Sequence, residues 1–225
     1  MFRLPIFVQM KFRAILFDLD GTLLDSVPVI LKTASEVCAT MGIPFDEARH
    51  RNMIGIPLAV QAPVCAGDRA QEFVRLYRSL YNLYQYRSPR FFPGTLPMLD
   101  TLHSEGYVTG LVTSKAANGT RKLIETMGLT DRFGAIVTAD DVKQAKPHPE
   151  PILKALKMLD VGPEEAVYVG DSLYDIDAAQ KAKITMIGVS WGAKNREELE
   201  YMCPDGVVDT WQEFLDWLGN TSVCP

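Results

Sequence analysis

The sequence predicts an α/β fold, a Rossmann-like parallel sheet core with an α-helical cap inserted after the first strand. Three observations carry that expectation. An apolar run, Ala14-Ile15-Leu16-Phe17, leads straight into two carboxylates, Asp18 and Asp20. From about Thr95 onward, short apolar runs rich in β-branched residues alternate with longer amphipathic segments, the pattern of βαβ units. Between those two regions the chain keeps helical periodicity with no interleaved strand.

Taken in order, Ala14 to Phe17 reads as a strand buried on both faces, because four apolar residues follow one another without alternation. In the next segment Phe73, Tyr77, Leu80, Tyr81 and Tyr84 recur at helical spacing and form one apolar stripe. With Arg69, Arg75, Arg78, Arg87 and Arg90 nearby, such a stripe also matches a base-stacking surface for RNA. Packing inside the cap is the reading preferred here, since helices bury such stripes. Ser26 and Pro93-Gly94 bound the insertion, which places the core at residues 1–26 and 93–225 and the cap at 27–92. The later strands are expected at Val108 to Thr113, Ala135 to Thr138, Ala166 to Val169, Thr185 to Val189 and Gly206 to Val208. Helices fall between them, at Thr95 to Glu105, Gly119 to Met127, Pro151 to Leu159, Asp175 to Ala182, Arg196 to Met202 and Gln212 to Leu218. Gly106, Gly128 and Gly162 stand where helices would close.

Composition narrows the function. With 225 residues, 47% apolar and 23% charged, the chain buries a core rather than staying disordered. A net charge of −5, with both signs mixed along the sequence, argues against a nucleic-acid groove or a membrane anchor. A small anionic substrate would then need locally placed cations. Cys38, Cys65, Cys203 and Cys224 are scattered without metal spacing, as expected of reduced thiols in a cytoplasmic protein. Lys11 and Arg13 interrupt the N-terminal apolar stretch, which argues against an export signal; Met10 is the expected natural start, with residues 1–9 as an extension.

Ligands of open parallel sheets bind beyond the carboxyl ends of the strands, so the residues just after each apolar run carry the chemistry. Those residues are Asp18, Asp20 and Gly21; then Thr113, Ser114 and Lys115; then Asp171, Ser172 and Asp175, with Lys146 in the loop AKPHPEP. Four acids on one sheet edge repel one another unless a divalent cation sits among them. Hard oxygen ligands suit Mg²⁺, and the matching chemistry is phosphoryl transfer. Asp18 is the expected nucleophile, forming an aspartyl phosphate, and Asp20 the expected acid and base. Thr113 and the neighbouring amides hold phosphate oxygens, Lys146 offsets the charge of Asp18 and phosphate, and Gly21 permits a tight turn beside the phosphate. Asp171 binds the metal, while Asp175 binds or orients a metal water.

The motifs DLDGTLLDS at 18–26, LVTSK at 111–115, KPHPEP at 146–151 and VGDSLYDI at 169–176 resemble the haloacid dehalogenase superfamily, in its phosphatase branch. The resemblance spans nearly the whole chain and implies Mg²⁺ dependence, a helical cap and the residue roles just given. It further implies the backbone carbonyl of Asp20 as a metal ligand. Dehalogenases of the superfamily lack the second acid, so Asp20 points to phosphate chemistry. The stretch VTADDVKQAKPHPEP is similar to phosphoglycolate phosphatases and pyrophosphatases, although Ser114 stands where the former carry Asn. β-Phosphoglucomutases share the architecture and give the mutase alternative, and a catalytically idle binding module is the remote one. Ile54-Gly55-Ile56-Pro57 resembles the loop the family places over its site, so Ile54, Gly55, Ser114 and Lys115 are expected near the substrate, with Arg49 or Arg51 as a nearby cation. The expected partner is a small phosphorylated metabolite, met by a monomer or homodimer.

Overall fold

The structure is a computed structural model and describes residues 11–86 and 89–221. The proposed extension at residues 1–9, together with Arg87 and Cys224, lies outside the described residues. In chain order the elements are β1 (Ala14–Phe17), α1 (Val27–Met41), α2 (Glu47–Asn52), α3 (Leu58–Ala66), α4 (Ala70–Gln85) and α5 (Thr95–Ser104). They continue with β2 (Val108–Val112), α6 (Ala117–Thr126), β3 (Ala135–Val137), α7 (Glu150–Leu159), β4 (Ala166–Gly170) and α8 (Leu173–Ala182). The last are β5 (Thr185–Val189), α9 (Arg196–Glu200), β6 (Gly206–Val208) and α10 (Trp211–Thr221).

The six strands form one parallel sheet in the order β3-β2-β1-β4-β5-β6. Every residue of β1 is buried, since strands flank it on both sides and helices cover both faces. Ile15 and Phe17 join a core with Met98, Leu99 and Leu102 of α5, Leu123 of α6 and Phe214 of α10. Ala14 and Leu16 face the opposite way, toward Ile152 and Leu156 of α7 and Ile176 and Ala179 of α8. That alternation is the two-residue period of a strand, and it explains why an unbroken apolar run is needed here.

The strand order reverses between β1 and β4, the place where an open sheet leaves a crevice at its carboxyl edge. Phe17 pairs with Val169, so Asp18 and Asp171 emerge side by side from neighbouring strands.

All the helices and strands expected from the pattern are present, with small shifts at their ends. Helix α8 begins two residues before the expected Asp175, because the Ser172 side chain accepts from Asp175 N and caps the turn. Helices α1, α3 and α4 carry a separate core of Val37, Cys38, Met41, Ala62 and Phe73. The aromatic stripe packs as expected, with Tyr77 stacked on Phe73 at 6.0 Å and on Tyr81 at 5.6 Å.

Candidate active site

Asp18 leaves β1 with its backbone N–H still donating to Val169 O, which fixes the start of the following loop to the sheet. The residue is only 3% exposed. One ionised carboxylate in that position is costly, and the site holds three: oxygens of Asp18, Asp171 and Asp175 lie within 4.8 Å of one another. The ammonium of Lys146 bridges two of them, donating to Asp18 Oδ1 at 2.8 Å and Asp175 Oδ1 at 2.6 Å, and it also reaches the Tyr168 hydroxyl at 3.1 Å.

One buried cation among three acids leaves an excess of negative charge, and the titration of the site reflects it. Burial raises Asp18 to about 7, with Lys146 pulling against the rise and Asp175 adding to it. Asp171 is pushed well above the usual carboxylate range by burial and by the Asp18 and Asp175 charges. For Lys146 burial acts to lower the pKa, but Asp175 and Asp18 outweigh it and hold the ammonium well above its ordinary value.

Asp171 accepts from Thr22 Oγ1 at 3.0 Å and from Ala193 N at 2.6 Å. Two glycines make the space around it. A Cβ on Gly21, whose φ is +88°, would stand 2.1 Å from Asp171 Oδ2, and one on Gly192 would stand 2.3 Å from the same atom. Both distances are far below contact, so the backbone wraps the carboxylate where no larger residue fits. Asp175 differs from the other acids, because both its oxygens are engaged. Oδ1 accepts from Lys146 and Tyr168, and Oδ2 from the amide and hydroxyl of Ser172.

Asp20 lies outside this group of three. Its carboxylate pairs with Lys115 Nζ at 2.9 Å and accepts from the Tyr81 hydroxyl at 3.3 Å. Burial, with Asp20 beside it, pushes the Tyr81 hydroxyl well above its ordinary pKa, which keeps it a donor. Thr113 is buried at the end of β2, and its Oγ1 accepts from Lys115 N at 3.2 Å, leaving its own proton to give. Ser114 donates to Gly55 O at 2.6 Å, so the loop at 54–57 does lie over the strand ends.

Some expected residues are placed elsewhere. The Ile54 side chain sits in a small apolar cluster with Val27, Leu31 and Ala193. Arg49 donates to Val64 O and Arg51 pairs with Glu47, so both are used within the helical segment. The cation beside the loop is instead Lys194, 7% exposed, paired with Glu198 at 2.7 Å and bonded to Asn52. It lines a cavity of about 400 Å³ together with Ile54, Ser172 and Tyr174. Sequence reasoning also missed Tyr168, Thr22, Tyr81 and Gln85. For Tyr168 a signal existed, a hydroxyl in the otherwise apolar strand Ala-Val-Tyr-Val-Gly.

Among the described residues no helix is long and apolar enough to cross a membrane. The family model described as haloacid dehalogenase-like hydrolase matches residues 15–189. A pyrophosphatase PpaX of Anoxybacillus flavithermus is 33% identical over 217 residues, which cover 95% of this chain and 100% of that protein. A phosphoglycolate phosphatase of Nitrosococcus oceani is 29% identical, across 92% of this chain and 97% of its own. Among solved structures, a haloacid dehalogenase-like family hydrolase of Streptococcus pneumoniae superposes with a TM-score of 0.81 at 28% identity, over 92% of this chain and 98% of that one. Its sheet order, its acids at the strand ends and a family match across most of its length together mean that the chain belongs to the haloacid dehalogenase-like hydrolases.

Proposed function

We propose that the protein is a Mg²⁺-dependent phosphatase that hydrolyses a small phosphate ester through an aspartyl phosphate on Asp18, with phosphoglycolate phosphatase as the nearest activity. The observation that carries this is the buried trio Asp18, Asp171 and Asp175, of which a single ammonium pairs only Asp18 and Asp175. An all-oxygen donor set with unbalanced negative charge, cradled by Gly21 and Gly192, suits Mg²⁺ better than a softer ion. Asp18 and Asp171 would hold it with the Asp20 carbonyl, while Asp175, its oxygens already taken, orients Lys146. When bound, Mg²⁺ supplies positive charge for the phosphate oxygens and for the attacking carboxylate.

The remaining chemistry belongs to the chain. Lys146 grips Asp18 Oδ1, which leaves Oδ2 to attack phosphorus along the line opposite the leaving oxygen. As the Asp18–phosphorus bond forms and the bond to the leaving group breaks, Asp20 gives the leaving oxygen a proton. Asp20 then takes a proton from water, whose oxygen attacks phosphorus and frees Asp18. The Thr113 hydroxyl and neighbouring amides bind the transferring phosphoryl group, a role supported by its unspent proton. Segment 27–92 serves as a cap that excludes bulk water while the bond breaks. The three free cysteines among the described residues suit a reducing, cytoplasmic setting.

Inorganic pyrophosphate is the second reading, favoured by the greater identity to the pyrophosphatase relative. In either case Asp18→Asn should lower phosphate release by about 10³-fold or more without changing the circular-dichroism spectrum. Turnover kept within an order of magnitude would rule Asp18 out as nucleophile.

A further inference from the structure

Lys115 and the cap helix α4 make a second polar cluster, built around Asp20. The Lys115 ammonium meets one acceptor for each of its three protons: Asp20 Oδ2 at 2.9 Å, the Tyr81 hydroxyl at 3.0 Å and Gln85 Oε1 at 2.9 Å. Tyr81 and Gln85 are one helical turn apart, so α4 presents them side by side. Gln85 is 6% exposed. Its amide has one orientation only, because a flipped group would set its N–H₂ against the ammonium. The Nε2 end therefore points away from Lys115, and among the described residues it has no hydrogen-bond partner. A cavity of about 20 Å³, bounded by Asp20, Tyr81 and Gln85 with Asp25 and Arg90, lies against it. That is space for one oxygen-sized atom.

We propose that Gln85 and Lys115 form a leaving-group subsite, which accepts an oxyanion carried by the part of the substrate that departs. The inference rests on the phosphatase reading. Asp20 serves the leaving oxygen, so the group attached to that oxygen comes within reach of the residues that hold Asp20. A buried donor requires an acceptor, which an oxygen supplies. The acceptor stands one amide's width from the Lys115 ammonium and beside Arg90, and these two cations offset the Asp20 and Asp25 carboxylates that line the same cavity, so a negative oxygen is admitted there. Carboxylate and phosphate leaving groups both meet this requirement, and an aryl or simple alkyl leaving group does not.

The test is a selectivity ratio, kcat/KM for phosphoglycolate divided by kcat/KM for phenyl phosphate, measured with Mg²⁺ for the unaltered protein, Gln85→Glu and Gln85→Met. Gln85→Glu keeps an oxygen on Lys115 and turns the free donor into a repelling carboxylate. The ratio should fall about tenfold or more, through the KM of phosphoglycolate, with pyrophosphate behaving in the same way. Gln85→Met removes the donor without adding charge and should lower the ratio by a smaller factor. An unchanged ratio in both variants, with activity either kept or lost equally on the two substrates, would overturn the subsite. Failure of the unaltered protein to release phosphate from phosphoglycolate, pyrophosphate and phenyl phosphate alike would instead remove the phosphatase reading beneath it.

Discussion

Lys146 shows how one residue makes the site tenable. Four acceptors surround its ammonium, two of them carboxylates that would otherwise face each other across a dry pocket. Lys146→Met should therefore cost about 3–5 kcal/mol of stability in the metal-free protein, read from urea unfolding, because it leaves Asp18 and Asp175 buried without a counter-charge. A loss below about 1 kcal/mol would mean that the acids are paired by something else. Tyr168→Phe is the milder probe. It removes one hydroxyl from Asp175 and should cost about 2 kcal/mol, lowering kcat more than it raises KM. The acids and Lys146 were legible in the sequence because each follows a recognisable apolar run or sits in a proline-stiffened loop. Tyr168 and Gln85 were not, since an aromatic inside a strand and an amide at a helix end are ordinary by local pattern, and their contacts with Lys146 and Lys115 span 22 and 30 residues.

At the scale of the element, strand ends and helix starts do the positioning. β1 and β4 pair in register, which brings Asp18 beside Asp171, and α8 begins at once with a cap that also aims Asp175. Ser172 is thus both cap and orienting residue: its hydroxyl donates to Asp175 Oδ2 and accepts from Asp175 N. Ser172→Ala should cost about 1 kcal/mol in denaturant unfolding and lower turnover as Asp175 loses its fixed rotamer. Equal turnover in the variant would show that Lys146 and Tyr168 suffice to hold Asp175. Periodicity sufficed to find every strand, because parallel strands buried on both faces must be apolar throughout. It gave less on helices α1 to α4. Helix α4 reads as one packing stripe, yet within it Tyr81 turns its hydroxyl to Asp20, a contact across 61 residues that no helical period records.

At the scale of the whole molecule, the fold gathers more negative charge than it can neutralise alone, and its stability should depend on protons and on Mg²⁺ together. Asp18 binds its proton with a pKa of about 7 in the folded protein against 3.8 ordinarily, and Asp171 shifts the same way. Between those values the folded state holds more protons than the unfolded chain. The metal-free protein is therefore stabilised by protonation below about pH 4 and loses that contribution as pH rises through about 7. Mg²⁺ competes with the same protons, so the rise in Tm that it produces should be larger at about pH 8 than at about pH 5.5. A Tm shift independent of pH would place the ion away from these acids.

The proposed reaction requires Asp18 to carry the phosphoryl group. Rapid acid quench during turnover of a ³²P-labelled substrate, followed by proteolysis, locates that group directly. The label should be on the peptide containing Asp18, be released by hydroxylamine as an acyl phosphate is, and be absent from Asp18→Asn. Phosphate released at full rate with no labelled peptide, or with the label on another residue, would contradict it.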